Sequence, residues 1–546
     1  MAQTPDISFH PPPIPSEELA RSTLLVTGIT IFSRLLGFAR DVIIAYALGG
    51  SAAADVFVAV FRIPNFVRRL AAEGSISMPF IPEYCRMRSQ GTAKGGTAEG
   101  ERQAMLLCRS AMLWVIIVAL PLCCLGLIYP EKVLSLTAPG FEHRPSEAEA
   151  ASALLYYLLP YTLLLCTLAV GSGIMQSRNR FLSPVINPCI PNITVLFALG
   201  LAMSVGELHL NPQTEGEPAR TALIFCQALL FSGLLQWLYV GNNMRQEKLR
   251  WFGPISLKPA WGFIKKVPLS LCSTATHQAN ILIAGIGASY LADGAIAQLH
   301  YADQLVTLPL AMFGMAIGII ALPKFSELAR QDRHTDLHAG IVDNMNLALD
   351  LSLPAAAGLA GIAEPLVKIL FMRGAFDAQA AHGTALALQG ASLCLPALAV
   401  ARPLLAACHV KNYLPAAALA GLCSMVCTAA LSMVLPRLFA AAPIFGIGLS
   451  VSLGAWIFAS LLWLSLHRKK ITPRLRDLSP MVLPLCMAIL IFAAALLGCK
   501  LLANSPWLAV GSIVPGCIFL YFGVTRLAGS YDAESIFMAL KAHKKN

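Results

Sequence analysis

Apolar runs of about 20 residues, the length a helix needs to cross a bilayer, recur from residue 23 almost to the end of the chain, separated by short polar connections. Backbone in hydrocarbon must satisfy its own hydrogen bonds, which a helix does within each segment. The pattern predicts membrane-spanning helices over 23–48, 53–84, 104–129, 152–176, 184–205, 220–242, 263–291, 295–325, 341–363, 380–408, 413–435, 445–466, 480–503 and 506–529. The second and eighth of these fourteen spans are long enough to tilt or to continue beyond the bilayer. Connections between them stay below about 25 residues, too short for a soluble catalytic or receptor domain. The chain reads as an all-α polytopic membrane protein.

The longest basic connection, Asn242 to Lys266, separates six spans from eight. It divides the chain into a disordered cytosolic tail (1–21), a first lobe of six spans (22–243), a cytosolic linker (244–262), a second lobe of six spans (263–470) and a final helix pair with its tail (471–546). Met1 to Ala20 lacks the basic start and short apolar core of a secretory signal, so the first apolar segment stays as a span. Ala54-Asp55 before Pro64 in the first lobe and Ala302-Asp303 before Pro309 in the second hint at a repeat. Six spans between copies make it a parallel repeat, which places substrate between the lobes near mid-membrane.

Basic residues set the orientation. With the N-terminus inside, cytosolic loops carry Arg86, Arg88, Lys94 and Arg102, then Arg178 and Arg180, then Arg245 to Lys266, Lys324 to Arg333, and Arg468 to Arg476. The opposite loops hold Lys132 and Arg144 among several glutamates, so both termini are expected in the cytosol. This asymmetry accounts for most of the +11 net charge, which calls for no nucleic-acid partner and suits an anionic inner leaflet. A composition of 57% hydrophobic and 13% charged residues, with mean hydropathy +0.67, excludes an ordinary soluble protein. The 15 cysteines sit almost entirely in apolar runs without a CxxC pair, the pattern of small packing residues and not of a disulfide or metal framework.

Against this apolar background, Phe32 to Tyr84 carries Arg34, Arg40, Asp41, Asp55, Arg62, Arg68, Arg69 and Glu73. One arginine at a membrane helix centre costs roughly 2.5–3.5 kcal/mol, and several facing lipid would oppose insertion by about 10 kcal/mol. They must face water, an anion or one another. Asp55, Arg62 and Arg69 are spaced by seven and share a helix face, with Glu73 one turn further and with signs that suggest partial self-pairing. Arg34 and Arg40 point about 120° apart and cannot share a face. Pro64 should bend the second span and free a carbonyl that Asn65 or substrate could use. Arg34, Arg40, Arg62, Arg68 and Arg69 against Asp41, Asp55 and Glu73, with Glu83 a further acid near the end of the stretch, make a cavity suited to an anion, and the planar guanidinium matches phosphate oxygens. Asp41, Arg86 and Arg88 read as interfacial residues that snorkel.

Other polar residues in spans, including Asn187, Asn192, Gln278, Asn280, Gln389 and Arg402, read as glue between helices. His277 is a candidate proton carrier. Asp350 is the acidic candidate for a coupling cation in the second lobe. Gly314 and Gly318 fit a close-packing GxxxG. A GxxxxGK[ST] loop, an HExxH motif and a magnesium-binding acidic pair are all missing, which argues for a transporter and against an ATP-driven pump or a membrane transferase.

Ile31-Phe-Ser-Arg34-Leu-Leu-Gly37-Phe-Ala-Arg40-Asp41, Ala54-Asp55-Val-Phe-Val-Ala and Ile63-Pro64-Asn65-Phe-Val-Arg68-Arg69-Leu-Ala-Ala-Glu73-Gly74 resemble the signature of the MurJ (MviN) family of lipid II flippases. Tyr301-Ala-Asp303-Gln304, Leu308-Pro309 and Leu322-Pro323 extend the resemblance into the second lobe. It implies the fold of the MOP superfamily, two six-helix bundles around a central cavity with a final helix pair lining a groove for a lipid tail. It also implies the substrate, the undecaprenyl-diphosphate-linked disaccharide-pentapeptide of peptidoglycan synthesis, moved from the inner to the outer leaflet of the bacterial cytoplasmic membrane. Family positions carry over at Arg34, Arg40, Asp55, Asn65, Arg68, Arg69 and Glu73.

On this basis Arg34, Arg40, Asn65, Arg68 and Arg69 are expected to bind the diphosphate, while Asp55, Arg62, Glu73 and Gln304 form cavity ion pairs or gates. Many members have arginine where this chain has Gln304 and glutamate where it has Thr307, so a polar pair of the second lobe is replaced as a unit. No cofactor or metal is expected; sodium, protons or the membrane potential are the candidate drivers. The expected partners are lipid II and the phospholipid membrane, with peptidoglycan synthase or division-site proteins as further candidates, and the chain is expected to be a monomer. A flippase for another polyprenyl-diphosphate oligosaccharide would use the same arginines. A MATE-like cation exporter would need an acidic or aromatic cavity, and a membrane scaffold would tolerate neutralising the charges.

Overall fold

A computed structural model describes residues 16–72, 77–178, 180, 182–205, 217–246, 256–265, 267–331, 333–411, 413–469, 482–502 and 505–527. The described chain is helical: α1 Ser16–Leu48, α2 Ala52–Ala72, α3 Ser77–Ile128, α4 Pro130–Thr137, a 3-10 turn Pro139–His143, α5 Pro145–Ser177, α6 Leu182–Ile186, α7 Cys189–Ser204 and α8 Glu217–Gln246. After the linker come α9 Trp261–Ile264, α10 Val267–Thr274, α11 Thr276–Ala288, α12 Ala295–Arg330, α13 His334–Gly361, α14 Ala363–Phe371, α15 Ala378–Ser392, α16 Cys394–Val410, α17 Leu414–Leu438 and α18 Pro443–His467. The last pair is α19 Val482–Leu501 and α20 Pro506–Leu527.

Among the described residues the predicted spans fall on helix, with local corrections. The first helix starts at Ser16, so only residues 1–15 of the expected tail lie outside the described residues. The seventh span is broken into α9, α10 and α11, and α13 meets α14 at a 73° bend. The second predicted span, 53–84, takes in α2 and the start of α3, and α3 reverses direction at Gly96. There φ is +80°, and Gly100 packs against the Arg88 carbonyl and Thr92, a close approach that only a turned-back chain allows. Glycine suits the turn because a side chain at that φ clashes with its own backbone. Ion pairs Arg88–Glu101 and Arg178–Glu101, and Arg178 Nε donating to Tyr84 at 3.1 Å, tie this hairpin to the end of α5.

Eight helices among the described residues are long and apolar enough to cross a membrane individually, nine if the bent pair counts as one span. The charged α2 is not one of them, since Asp55, Arg62, Arg68 and Arg69 interrupt it. It is instead wrapped by protein, packed on α5, α8, α11 and α12. α1, α2, α3, α5, α7 and α8 build one bundle and α11 to α18 the other, while α19 and α20 lie on α13 and α14. Exposed Leu, Ile, Val and Phe on the outer faces suit a lipid environment, where burying them in a core brings no advantage.

The bundles meet closely at one end. Tyr301 donates to the Gly49 carbonyl at 3.3 Å, the Ala375 N–H to the Tyr46 carbonyl at 2.9 Å, and Gly140 N–H to Ser289 Oγ at 3.0 Å. Arg144 pairs with Asp293 at 2.6 Å and donates to the Leu291 carbonyl at 2.7 Å. Phe38, Tyr301, Phe371 and Phe376 stack behind these contacts.

Candidate functional site

α2 presents two different charged faces. On the first, Asp55, Arg62 and Arg69 share a line as their spacing predicts, and all three reach the second bundle. Asp55 accepts the N–H groups of Gly294 and Ala297, each at 2.8 Å, and so caps α12 from another helix, satisfying donors that a helix start leaves open. Arg62 donates to the Ile296 carbonyl at 3.1 Å. Arg69 Nη1 donates to Gln278 Oε1 at 2.6 Å and to Asp303 Oδ2 at 3.2 Å. The expected self-pairing is therefore replaced by pairing across the bundles. Residues seven apart stand about 10 Å from one another along a helix, too far for a direct bond.

On the second face, Arg68 Nη2 donates to Asn65 Oδ1 at 2.6 Å, so Asn65 serves Arg68 and not the carbonyl freed by Pro64; α2 runs on through Pro64 as one helix. Arg40 of α1 comes alongside. It forks onto Asp41 Oδ1 through Nε at 3.0 Å and Nη2 at 2.7 Å, donates to Asn192 Oδ1 at 3.0 Å, and lies 5.4 Å from the Phe61 ring centre. Arg40, Phe61, Pro64, Asn65, Arg68, Tyr161, Pro191 and Leu229 line a crevice inside the first bundle that is closed too tightly here to admit a water molecule. Asp41 is 2% exposed, which overturns its reading as an interfacial residue: the carboxylate is buried because it neutralises Arg40. Arg86 and Arg88 are exposed, as that reading expects.

The remaining candidates separate from this pair of faces. Arg34 is exposed on α1 while Arg40 is buried, in keeping with their angular offset, and it does not line the crevice. Glu73 lies outside the described residues. Gln304 is half-buried one position after Asp303, and its carbonyl accepts the Thr307 hydroxyl at 3.0 Å, so the two departing residues bond locally. Asp350 lies on α13 where α20 crosses it, its carbonyl accepting Tyr521 Oη at 2.6 Å. Gly314 and Gly318 belong to a part of α12 whose side chains are not described.

The sequence marks Asp303 as a repeat position and as part of the second-lobe resemblance, and Gln278 as glue, without a partner for either, yet both hold Arg69. The spacing of Asp303 from the charged stretch carries no sign of contact; an acid inside an apolar span, which needs a partner, was the one available signal.

α2 thus carries a basic crevice in one bundle and an acid-and-arginine seam to the other on its opposite face. The comparisons with known proteins agree on the family. Residues 44–519 match the family model described as lipid II flippase MurJ. The chain belongs to the MurJ family. A probable lipid II flippase MurJ of Vibrio cholerae is 27% identical over 515 residues, spanning 91% of this chain and 92% of its own. One of Haemophilus influenzae is 31% identical over 377 residues, 64% of this chain and 67% of its own. The lipid II flippase MurJ of Burkholderia cenocepacia is 27% identical over 463 residues, 83% and 84% of the two chains.

Among solved structures, a MurJ in an inward closed conformation superposes with TM-score 0.72 at 20% identity, covering 94% of this chain and 98% of that one. An inward-facing multidrug-resistance MATE transporter of the MOP superfamily gives 0.65 at 13% identity over 82% and 98%. The MurJ fold, shared with MATE transporters, is thus the fold of this chain.

Proposed function

We propose that this chain carries lipid II from the inner to the outer leaflet of the bacterial cytoplasmic membrane for peptidoglycan synthesis. Family membership supports the substrate. The observation that carries the mechanism is the division of labour on α2: Arg68 and Asn65 face the crevice with Arg40, while Asp55, Arg62 and Arg69 bond the other bundle. In this reading the diphosphate replaces Asn65 as the partner of Arg68, with Arg40 alongside and held by Asp41, because charge-assisted bonds to phosphate are stronger than a bond to an amide. The seam on the opposite face then opens and closes between the lobes. The closed contacts at Gly49, Asp55 and Arg144, which face the cell exterior when both termini are cytosolic, support alternating access with the outer side shut in this state. The polyprenyl tail stays in lipid.

The chain acts as a monomeric transporter and not an enzyme, without a cofactor, and draws on an ion gradient or the membrane potential; synthase or divisome proteins are its candidate partners. The test is complementation. In a host depleted of its own flippase, this chain should restore growth and the arrival of lipid II at an extracellular probe, and Arg68→Ala should restore neither. Wild-type protein that reaches the membrane without restoring exposure would move the substrate to another polyprenyl-diphosphate sugar.

A further inference from the structure

The Asp303 carboxylate is shared. Oδ2 takes Arg69 of α2 at 3.2 Å, a bond between bundles, while Oδ1 stands 3.3 Å from Nε2 of His277 on α11, a neighbour within its own bundle. The second contact is unfinished: neither Asp303 Oδ1 nor either ring nitrogen of His277 makes a hydrogen bond among the described residues, although all three atoms are buried. Buried polar atoms are seldom left so. A neutral imidazole gains little from this placement, whereas an imidazolium would gain a charge-assisted bond in a site poor in water.

The groups around His277 are few. α12 contributes Asp303 and the buried His300, and α2 contributes Arg69 and Arg62. Gln278 beside it is neutral and accepts from Arg69 at 2.6 Å. α10 offers no charged group, and α17 meets α11 through Ser424, which bonds Asn280 at 2.9 Å. Cys423, Cys427 and Arg437 are the titratable residues of α17, and Arg437 is exposed near its end; His467 closes the far end of α18; Glu131 and Lys132 of α4 are exposed. Asp303 is thus the one carboxylate among the described residues within bonding reach of His277.

We infer that His277 is a proton-operated release for the seam between the lobes: on taking up a proton it draws Asp303 into a pair within the second lobe, and Arg69 is loosened from it. Arg69 then keeps only the neutral Gln278 across the boundary, and its guanidinium becomes available to an anionic headgroup held by its neighbour Arg68. Loss of the proton returns the carboxylate to Arg69 and locks the lobes again. This deepens the transport reading above and rests on its alternating access, yet it is measurable without substrate.

The experiment is a distance measurement between genetically encoded spin labels at Glu131 and Gln379, both exposed and one on each bundle, which avoids the 15 cysteines. The full chain is placed in lipid nanodiscs without lipid II at about pH 8 and about pH 5.5, either side of the ordinary imidazole range. Wild type should gain a longer-distance population by about threefold or more at the lower pH. His277→Gln should give the wild-type distribution of about pH 8 at both values, which also reports correct folding; His277→Asn serves if the first variant fails to fold. Asp303→Asn should show the longer population at both, and His300→Gln should keep the wild-type shift. A wild type without a shift, a His277→Gln that retains one, or a shift abolished by His300→Gln would each overturn the inference. Fluorescent lipid II transport in the same preparations separates the two readings: lobes that respond to pH without moving lipid II would sink the substrate and leave the release standing.

Discussion

The carboxylate of Asp55 in α2 and the N–H of Gly294, just ahead of α12, meet at 2.8 Å. With Ala297 at the same distance, one side chain of the first lobe caps a helix of the second. Capping bonds are worth about 1 kcal/mol, up to about 2 in folded proteins. Asp55→Ala should therefore speed hydrogen exchange in the first turn of α12 by roughly 5–30-fold, with little change in α17, read by mass spectrometry of the purified protein.

Gly294 itself has no room for a side chain. Its φ is +86°, and an added Cβ would stand 2.0 Å from the Gly50 carbonyl oxygen, a backbone atom that cannot rotate away. Gly294→Ala should lower thermal stability by about 1–3 kcal/mol and separate the lobes at this end. Gly262→Ala, where nothing lies within 4 Å, should be close to neutral in the same melting experiment.

Arg40 and Arg68 should fail in different ways. Removing Arg40 strands the buried Asp41, a loss of about 3–5 kcal/mol for a broken buried pair, so Arg40→Ala should reduce the amount of folded protein, and adding Asp41→Asn should recover part of it. Arg68 leaves only the amide of Asn65 behind. Arg68→Ala should reach the membrane at wild-type levels, and lipid II exposure should fall about tenfold or more, the scale of one charge-assisted bond. Immunoblots beside the exposure assay distinguish the two.

Gly285 gives access to the seam from the other side. A Cβ there would fall 1.3 Å from Arg62 Nη1, so Gly285→Ala must push the guanidinium off the Ile296 carbonyl. The Nε of Arg62 is already buried without a hydrogen-bond partner among the described residues, and loss of the Ile296 bond should make the variant less stable than Gly287→Ala, which meets the side chain and carbonyl of Ser432. Melting curves in one detergent would rank them; the reverse order would mean that Arg62 contributes nothing to closure.

Much of this protein is determined by the sequence alone. Hydrocarbon tolerates few backbone arrangements, so the apolar runs specify helices and their approximate ends, and the seven-residue spacing of Asp55, Arg62 and Arg69 specifies a common face. The motif from Arg34 to Glu73 carries the family. Only the tertiary structure decided what those faces meet. Asp55 bonds backbone N–H groups and Arg62 a backbone carbonyl, partners that no residue identity announces because every residue carries them. Asp41 looks interfacial in the sequence, yet it is buried and bonded to Arg40, and Asp303 gains its role from Arg69, 234 positions away. Helical periodicity reports angles within one helix; which helix stands opposite is settled by packing over the whole chain.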